Sequence, residues 1–372
     1  MRLRPESRPI GRVERLPARQ ITLDAVCFGC HLPNLSAEFR SNFTVAARYN
    51  RTLNLAIIGY GNVGRALVRL LRVKREFPFT VTGIHTLRHG AVVDPAGLSA
   101  KALDAAEFGP RMASVEEFLD AARAEVAVEL TTLNPSTGEP AAAHIRAALA
   151  RRMHVVTANK GPVAHAYAEL RDLAARQGVA FRFESSVMDG APVFNLWRHT
   201  MPGAKVLGFT GVLNSTSKVV IERMERGESF DSGLAEARRL GITEADGAYD
   251  VEGWDSAAKT AALANVLMDA HTTPQKVTTR GITRLTPERV MEIAREGKTV
   301  RLVSRGRRTS SGVSLRVRAE VLERNDILAC TPGTSNLLLF HTDLMGTFGT
   351  VSINPGVEQT AFGVFSDLVS LL

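Results

Sequence analysis

The sequence has few cysteines, no long apolar run, and no large excess of charge in most of its length. Its 372 residues include only three cysteines, which excludes a disulfide-stapled scaffold and is typical of a reducing compartment, so we expect a cytoplasmic protein. No apolar run reaches the roughly 18–20 residues that cross a bilayer, so we expect no membrane partner. Hydrophobic residues make up 45% and charged residues 23%, which excludes disorder as the main state.

The net charge of +8 is concentrated near the N-terminus. Residues 1–51 contain nine arginines and four acidic residues, a net charge of +5, which leaves only +3 for the rest of the chain. Because the body is nearly neutral, we expect no nucleic-acid partner. Four prolines interrupt the segment, which resembles a transit peptide in composition or represents upstream sequence read from a misplaced start. We interpret residues 1–51 as a poorly ordered extension without a catalytic role.

This extension contains one motif that imitates a cofactor site. Cys27, Cys30 and His31 match the CxxCH pattern of c-type haem attachment. Haem attachment would require export, for which the sequence shows no signal, and a zinc site would require a fourth ligand. We therefore interpret the motif as a chance occurrence.

From Leu53 onwards, strands alternate with helices. Apolar runs at 53–58, 79–84, 126–130 and 154–157 are separated by helical segments that include 63–73 and 140–151. This alternation predicts an α/β fold with a parallel sheet. After about residue 180, strand-like runs surround longer helices, which predicts a second domain of the α+β type.

Three glycines form a GxGxxG motif between an apolar strand and an amphipathic helix. Gly59 permits a tight turn, Gly61 lets the backbone approach a pyrophosphate, and Gly64 lets the helix pack closely on the strand. The helix then begins at Asn62 and Val63, where free amides favour phosphate binding. The context predicts a dinucleotide site, with a glycine turn that binds nothing as the alternative.

The end of the second strand bears on the choice of cofactor. NAD enzymes usually place an Asp or Glu there to bind the ribose 2′-hydroxyl. Residues 83–90 contain no carboxylate, but they do contain Arg88. Arg88 would bind the 2′-phosphate of NADP, or it is a solvated loop residue. The sequence thus favours NADP without excluding NAD.

Three further segments carry residues suited to acid–base or cation chemistry. Asp255 and Lys259 are spaced i, i+4 on one helix face, which suits either catalysis or a plain surface ion pair. Lys160 follows an apolar strand, at the edge where open parallel sheets bind ligands, although a solvated strand-end lysine is the alternative. Glu184 leads into a loop whose carbonyls would suit a monovalent cation, unless this is a plain loop.

Taken together, these segments resemble the homoserine dehydrogenase family. The GYGNVG turn, TANKGP, FESSVMDGAP, GVLNSTS, and EAD followed by DVEGWDSAAK occur in that family's order and spacing. The similarity runs from about Leu53 to the C-terminus and is closest to the short form without a fused aspartokinase or regulatory domain. It implies an NAD(P)-dependent oxidoreductase that interconverts L-aspartate 4-semialdehyde and L-homoserine in threonine and methionine biosynthesis.

The resemblance also implies the domain organisation and assembly. After the extension at 1–51, a Rossmann-type nucleotide-binding domain would occupy 52–180 and be completed by 333–372. An α+β domain at 181–332 would bind the substrate and form a homodimer.

The roles of single residues follow from the same resemblance. Lys259, Lys160 and Asp255 would be the catalytic residues, with Lys259 as the acid–base group and Lys160 assisting at the reacting oxygen or binding the substrate. Glu244 and Asp255 would hold the amino-acid substrate, chiefly by its ammonium and hydroxyl ends. Lys160 and Glu358 would join Arg88 and the glycine turn in the cofactor site. A sodium or potassium ion would bind mainly to backbone carbonyls, at the positions Glu184, Val187, Asp189 and Ala191.

Three segments depart from the family pattern. Gly247 replaces the proline that follows EAD, the NGTTNY loop appears as NSTSKV at 214–219, and the glycine-rich turn near the nicotinamide is altered at 353–361. Two alternatives therefore stay open at this point. One is a dehydrogenase of the same fold for another small amino or hydroxy aldehyde, and the other is a non-catalytic protein that senses the dinucleotide.

Overall fold

The computed structural model describes residues 51–105, 108–243, 247–331 and 333–372. Two sequence predictions fall outside these residues. The first concerns the extension at 1–51 and its CxxCH motif, because only Arg51 of that extension is described, and the second concerns Glu244. Within the described residues, no helix is long and apolar enough to span a membrane.

The first half of the described chain builds a six-stranded sheet with the order β3-β2-β1-β4-β5-β6. The strands are β1 (Leu53–Ile58), β2 (Phe79–Thr86), β3 (Gly90–Val93), β4 (Val126–Glu129), β5 (His154–Thr157) and β6 (Phe181–Arg182). All neighbours pair in parallel except β2 and β3, which form an antiparallel hairpin. Every residue of β1 except Asn54 is buried, as expected for a central strand covered on both faces.

Helices cover the two faces of this sheet. They are α1 (Asn62–Val73), α2 (Ala100–Ala105), α3 (Val115–Ala122), α4 (Ala141–Ala150), α5 (Lys160–His165) and α6 (Tyr167–Gln177). Alternate residues of β1 face opposite layers, because strand side chains alternate in direction. Ile58 packs in one core with α3 and α4, whereas Leu55 and Ile57 pack in another core with α1.

The second half builds a mixed sheet with the order β12-β11-β7-β9-β10-β8. Its strands are β7 (Val206–Val212), β8 (Thr278–Arg280), β9 (Lys298–Thr309), β10 (Gly312–Glu323), β11 (Asn336–Thr342) and β12 (Thr347–Ser352). Its helices are α7 (Ser185–Met188), α8 (Phe194–Thr200), α9 (Ser215–Glu225), α10 (Phe230–Arg239), α11 (Ala248–Val251), α12 (Trp254–Met268) and α13 (Pro287–Arg295). All its neighbouring strands are antiparallel except β8 and β10.

Helix α12 is almost wholly buried and connects the two halves. It contacts α5 beside the first sheet and β9 and β10 of the second sheet. Its sequence is rich in alanine, so neighbouring elements approach it closely on several sides, as expected for a helix that is apolar nearly all round. Two polar residues at its start, Asp255 and Lys259, thereby lie between the halves.

The last helix, α14 (Val357–Val369), returns to the first sheet. Val364, Phe365 and Leu368 join the core formed by β1 and α1. Strands β11 and β12, which precede α14 in the chain, pair instead within the second sheet. The observed arrangement confirms the predicted fold class, a Rossmann-type domain joined to a second sheet domain, while the predicted domain boundaries stay a prediction.

Candidate active site

The glycine turn lies at the carboxyl end of β1, where α1 begins. Gly59 has φ of +96°, and a Cβ on it would lie 2.6 Å from the carbonyl group of Leu130, so only glycine fits. A Cβ on Gly64 would lie 2.9 Å from the Gly59 carbonyl oxygen. Gly61 differs, because no protein atom lies within 4 Å of the position that its Cβ would take. The space beside Gly61 is thus open for a pyrophosphate at the start of α1.

Arg88 and Glu358, the two other residues predicted for the cofactor site alone, are both exposed. Arg88 is exposed in the turn that follows β2, beside the equally exposed Leu87. Glu358 belongs to the first turn of α14, and its Oε1 lies 3.5 Å from Nη2 of Arg69 on α1. Both side chains are exposed, and Glu358 lies in an ion pair with Arg69.

The residues that carry the acid–base prediction meet in one cluster. Lys160 opens α5 directly after β5, and its Nζ lies 3.0 Å from Asp255 Oδ1 on α12. Lys259, one turn further along α12, places its Nζ 3.3 Å from Asp255 Oδ2 and donates to the carbonyl oxygen of Leu213 at 2.6 Å. The side chains of all three ionised residues are at most 18% exposed. A plain surface ion pair is thereby excluded as the description of Asp255 and Lys259.

The charges of this cluster perturb one another strongly. Burial by itself would raise the pKa of Asp255, but the two lysines outweigh it, so the pKa lies below its ordinary value. Burial would likewise lower the pKa of Lys259, yet Asp255 and Asp189 raise it above its ordinary value. Without substrate, Lys259 is therefore an ammonium at neutral pH, the form that gives a proton to a developing alkoxide.

A second buried carboxylate, Asp250, lies beside Asp255, and no sequence argument singled it out. The side-chain amide of Asn214 bridges the two, donating to Asp250 Oδ1 at 2.7 Å and to Asp255 Oδ2 at 3.0 Å. Thr243 donates its hydroxyl proton to Asp250 Oδ2 at 2.8 Å. Burial, together with the charge of Asp255, raises the pKa of Asp250. The acid-rich stretch that contains it was a visible signal, but its partner Asn214 is distant in sequence.

Another residue that the sequence reasoning missed is Glu129, which organises the backbone around Lys160. Its carboxylate is buried at the end of β4, where it accepts from Thr131 N and Thr157 Oγ1, each at 2.9 Å. The Thr157 hydroxyl accepts from Asn159 N at 2.9 Å, and Asn159 Oδ1 caps α5 by accepting from Gly161 N at 2.9 Å. An acidic residue at the end of an apolar strand was the available signal.

The predicted cation loop places its four residues around α7. The Glu184 carboxylate accepts from three backbone amides at the start of α8, those of Val193, Phe194 and Asn195. This side chain is thus engaged in capping a helix, which leaves the carbonyls of Glu184, Val187, Asp189 and Ala191 as the candidate ligands. Among the described residues there is no cluster of three or more His, Cys, Asp or Glu side chains suited to a metal ion.

Family models and curated relatives match most of the described residues. A model of the homoserine dehydrogenase NAD-binding domain matches residues 59–184, and a homoserine dehydrogenase model matches residues 192–369. The homoserine dehydrogenase of Methanocaldococcus jannaschii is 34% identical over 337 residues, covering 86% of this chain and 98% of the relative. The NAD(+)-dependent homoserine dehydrogenase of Pseudomonas canavaninivorans is 35% identical over 335 residues, covering 85% of this chain and 95% of the relative.

Solved structures agree with these relatives. A homoserine dehydrogenase of Thiobacillus denitrificans superposes with a TM-score of 0.75 at 28% identity, covering 86% of this chain and 73% of that one. A hyperthermophilic archaeal homoserine dehydrogenase in complex with NADPH superposes with a TM-score of 0.73 at 26% identity, covering 86% of this chain and 97% of that one.

Proposed function

The chain belongs to the homoserine dehydrogenase family, and from this premise we propose that Lys160, Asp255 and Lys259 form its catalytic centre. It is an NAD(P)-dependent oxidoreductase that interconverts L-aspartate 4-semialdehyde and L-homoserine, a step in threonine and methionine biosynthesis. The observation that carries the proposed centre is the buried Asp255 carboxylate, which holds two ammonium groups from separate elements within 3.3 Å.

The cluster suits both directions of the reaction. When homoserine is oxidised, its carbinol carbon loses a hydride and its hydroxyl group loses a proton; the bound nicotinamide ring supplies the hydride acceptor. Lys259 takes the hydroxyl proton in its neutral form, and in the reverse direction its ammonium returns that proton to the alkoxide. Lys160 stabilises negative charge on the same oxygen, and Asp255 fixes the positions of both lysines.

Asp255, together with Glu244, also binds the ammonium group of the amino-acid substrate. A test compares L-homoserine with 4-hydroxybutyrate, which has the same chain but no amino group. Because 4-hydroxybutyrate cannot form the charged contact that orients the substrate, we expect kcat/KM to fall by about a hundredfold or more. Equal rates for the two alcohols would contradict this role and favour a dehydrogenase for hydroxy acids.

NADP is the preferred cofactor, and Arg88 is the residue that binds its 2′-phosphate. The exposed position of Arg88 beyond β2 supports this assignment, as does the lack of a carboxylate at 83–90. Replacing Arg88 by alanine should raise the KM for NADP by at least about tenfold, the value of one lost charge-assisted contact, and leave that for NAD unchanged. The matched control is Arg176→Ala, an exposed arginine on α6. An equal change in the KM for NADP and for NAD would contradict binding of the 2′-phosphate by Arg88 and would make it a solvated turn residue.

A sodium or potassium ion binds the backbone carbonyls of Glu184, Val187, Asp189 and Ala191. The helix-capping role of Glu184 supports this, because it fixes the loop that presents those carbonyls. We expect the rate to fall several-fold when choline chloride replaces potassium chloride at constant ionic strength. An unchanged rate in choline, sodium and potassium chloride would contradict the proposed cation site.

The chain forms a homodimer in the cytoplasm. Large apolar side chains that remain 44–51% exposed on strands of the second sheet support an interface there: Leu207, Val321 and Val351. Light scattering coupled to size-exclusion chromatography should give twice the chain mass of 40.3 kDa. A monomeric mass at working concentration would contradict the assembly, and cell fractionation tests the location.

A further inference from the structure

Lys218 is a buried lysine that takes no part in the proposed chemistry. It lies near the start of α9 and is only 1% exposed. Its Nζ donates to the carbonyl oxygens of Thr331, at 3.2 Å, and Ser335.

The ammonium is held by carbonyl groups rather than by a carboxylate. No ion pair joins Lys218 to an acidic side chain among the residues that the structure describes. Burial lowers the pKa of Lys218 to about 8, Glu222 on the same helix opposes this shift, and Arg301 on β9 adds to it. Lys218 is thus still mainly charged at neutral pH, in a place where a charge is costly to bury. A costly buried charge suggests a function that offsets the cost.

The two carbonyl acceptors belong to the connection that leads to β11, and this connection touches the turn before α14. Ser335 Oγ accepts from Asn354 N at 3.1 Å and lies 3.4 Å from Asn354 Oδ1. Thr334 O accepts from Ser215 Oγ, at the start of α9, at 2.7 Å. Asn354 has φ of +43° and lies two residues before Gly356, the N-cap residue of α14. A continuous set of hydrogen bonds therefore links Lys218 to the turn at 353–356.

That turn leads directly into α14, and the first turn of this helix contacts two other elements of the first half of the fold. On one side Glu358 meets Arg69 of α1, the helix of the glycine turn. On the other side Thr360 O accepts from Ser185 Oγ at 2.7 Å, and Thr360 Oγ1 lies 3.4 Å from Asp189 Oδ1. The start of α14 thus lies between α1 and the segment at 185–189, whose Asp189 helps to raise the pKa of Lys259.

We propose that Lys218 is a positioning residue for hydride transfer: by holding the Ser335 carbonyl it fixes the turn at 353–356 and the first turn of α14 against the cofactor. This proposal rests on the proposed function, because it assumes a dinucleotide beside α1 and α14. It predicts that Lys218 affects the rate of the hydride step and leaves the affinity for homoserine nearly unchanged.

The first test compares wild-type protein with Lys218→Met, which keeps the length of the side chain and removes its donors. The control is Lys276→Met, an exposed lysine. We expect Lys218→Met to lower kcat by about ten- to a hundredfold, the size of effect produced by a small misplacement, with the KM for homoserine within about twofold. The deuterium isotope effect with homoserine labelled at the carbinol carbon should rise, because hydride transfer becomes slower. An unchanged kcat in folded Lys218→Met overturns the proposal.

A second variant covers the case in which Lys218→Met does not fold. Ser335→Ala keeps the backbone carbonyl that Lys218 binds and removes only the hydroxyl that accepts from Asn354. It should reproduce the loss of kcat with KM retained. Normal turnover by Ser335→Ala contradicts the proposed link.

Hydrogen exchange separates a failure of this inference from a failure of the proposed function. Amides of residues 353–360 should exchange at least about tenfold faster in Lys218→Met than in wild type or Lys276→Met, because the local opening free energy falls. Unchanged exchange overturns the inference whatever the activity. Wild-type protein that oxidises no homoserine with either cofactor would refute the function, while the exchange data would still decide the role of Lys218.

Discussion

Replacing Asp255 by asparagine removes the charge that holds two buried lysines together. The carboxylate oxygens lie 3.0 Å from Lys160 Nζ and 3.3 Å from Lys259 Nζ. At an effective dielectric constant of about 20, each contact represents about 5 kcal/mol of attraction before desolvation is subtracted. Breaking a buried pair by removing one partner costs about 3–5 kcal/mol. We therefore expect Asp255→Asn to lower the free energy of unfolding by about 3 kcal/mol at pH 7.

The pH dependence of this effect has a defined sign. The pKa of Asp255 is lowered in the folded protein, so its contribution is present above the pKa of an unfolded aspartate, about 3.9, and is lost as the pH falls towards the folded value. The pKa of Lys259 is raised, so its contribution is present below about pH 10.4 and is lost above it. Urea denaturation should therefore show the full difference between the two proteins from about pH 5 to 9 and a smaller one in acid.

The same substitution should alter catalysis in a recognisable way. Without the carboxylate the pKa of Lys259 falls, so the rising limb of homoserine oxidation should move to lower pH, although the maximal rate decreases. The matched comparison is Asp250→Asn, which keeps a hydrogen bond with Asn214 and alters a carboxylate that raises the pKa of Lys259 less than Asp255 does, so a smaller shift of the pH limb is expected. A folded Asp255→Asn protein with wild-type stability and an unmoved pH limb would refute the electrostatic reasoning.

Three other predictions follow from the described geometry. Gly61→Ala should leave the thermal midpoint unchanged but weaken cofactor binding at least about tenfold, because the new Cβ would enter only the space that the cofactor occupies. Gly64→Ala should lower the free energy of unfolding by about 1–3 kcal/mol, because its Cβ would collide with the backbone of Gly59. Thermal melts and cofactor titrations check both. Glu129→Gln should lower the free energy of unfolding, measured in urea, by about 1–3 kcal/mol. It should also lower kcat, because Glu129 organises the backbone that positions Lys160. A variant with wild-type activity and stability would contradict this role. Deleting residues 1–51 should leave kcat and KM unchanged, because the family models match only from residue 59; a loss of activity would give the extension a function.

Local sequence patterns accounted for the glycine turn and for most of the first sheet. The apolar run at 53–58 and the GxGxxG spacing determine β1 and the start of α1, because turn geometry and strand burial act over a few residues. The i, i+4 spacing likewise placed Asp255 beside Lys259. The antiparallel strand Gly90–Val93 was not predicted, because its four residues depend on pairing with β2 rather than on their own pattern.

Contacts between distant segments could not be predicted in the same way. Lys160 meets Asp255 only because α12 packs against α5, and no periodicity encodes that packing. No sequence pattern indicated burial of Lys218, yet it is only 1% exposed and donates to two carbonyl groups that precede β11. The acid Asp250 likewise gains its partner Asn214 only in the folded chain. In each case tertiary burial, which depends on the whole chain, decides the environment of the charge.

The most direct test of the catalytic centre is turnover by Lys259→Ala. Formation of the reduced cofactor with L-homoserine is followed at the nicotinamide absorbance band, and the affinity for the cofactor is measured separately by titration. The account predicts that turnover falls by about a thousandfold or more, while the dissociation constant for the cofactor remains that of the wild-type protein. Turnover close to the wild-type rate in this variant would contradict the assignment of Lys259 and with it the proposed centre.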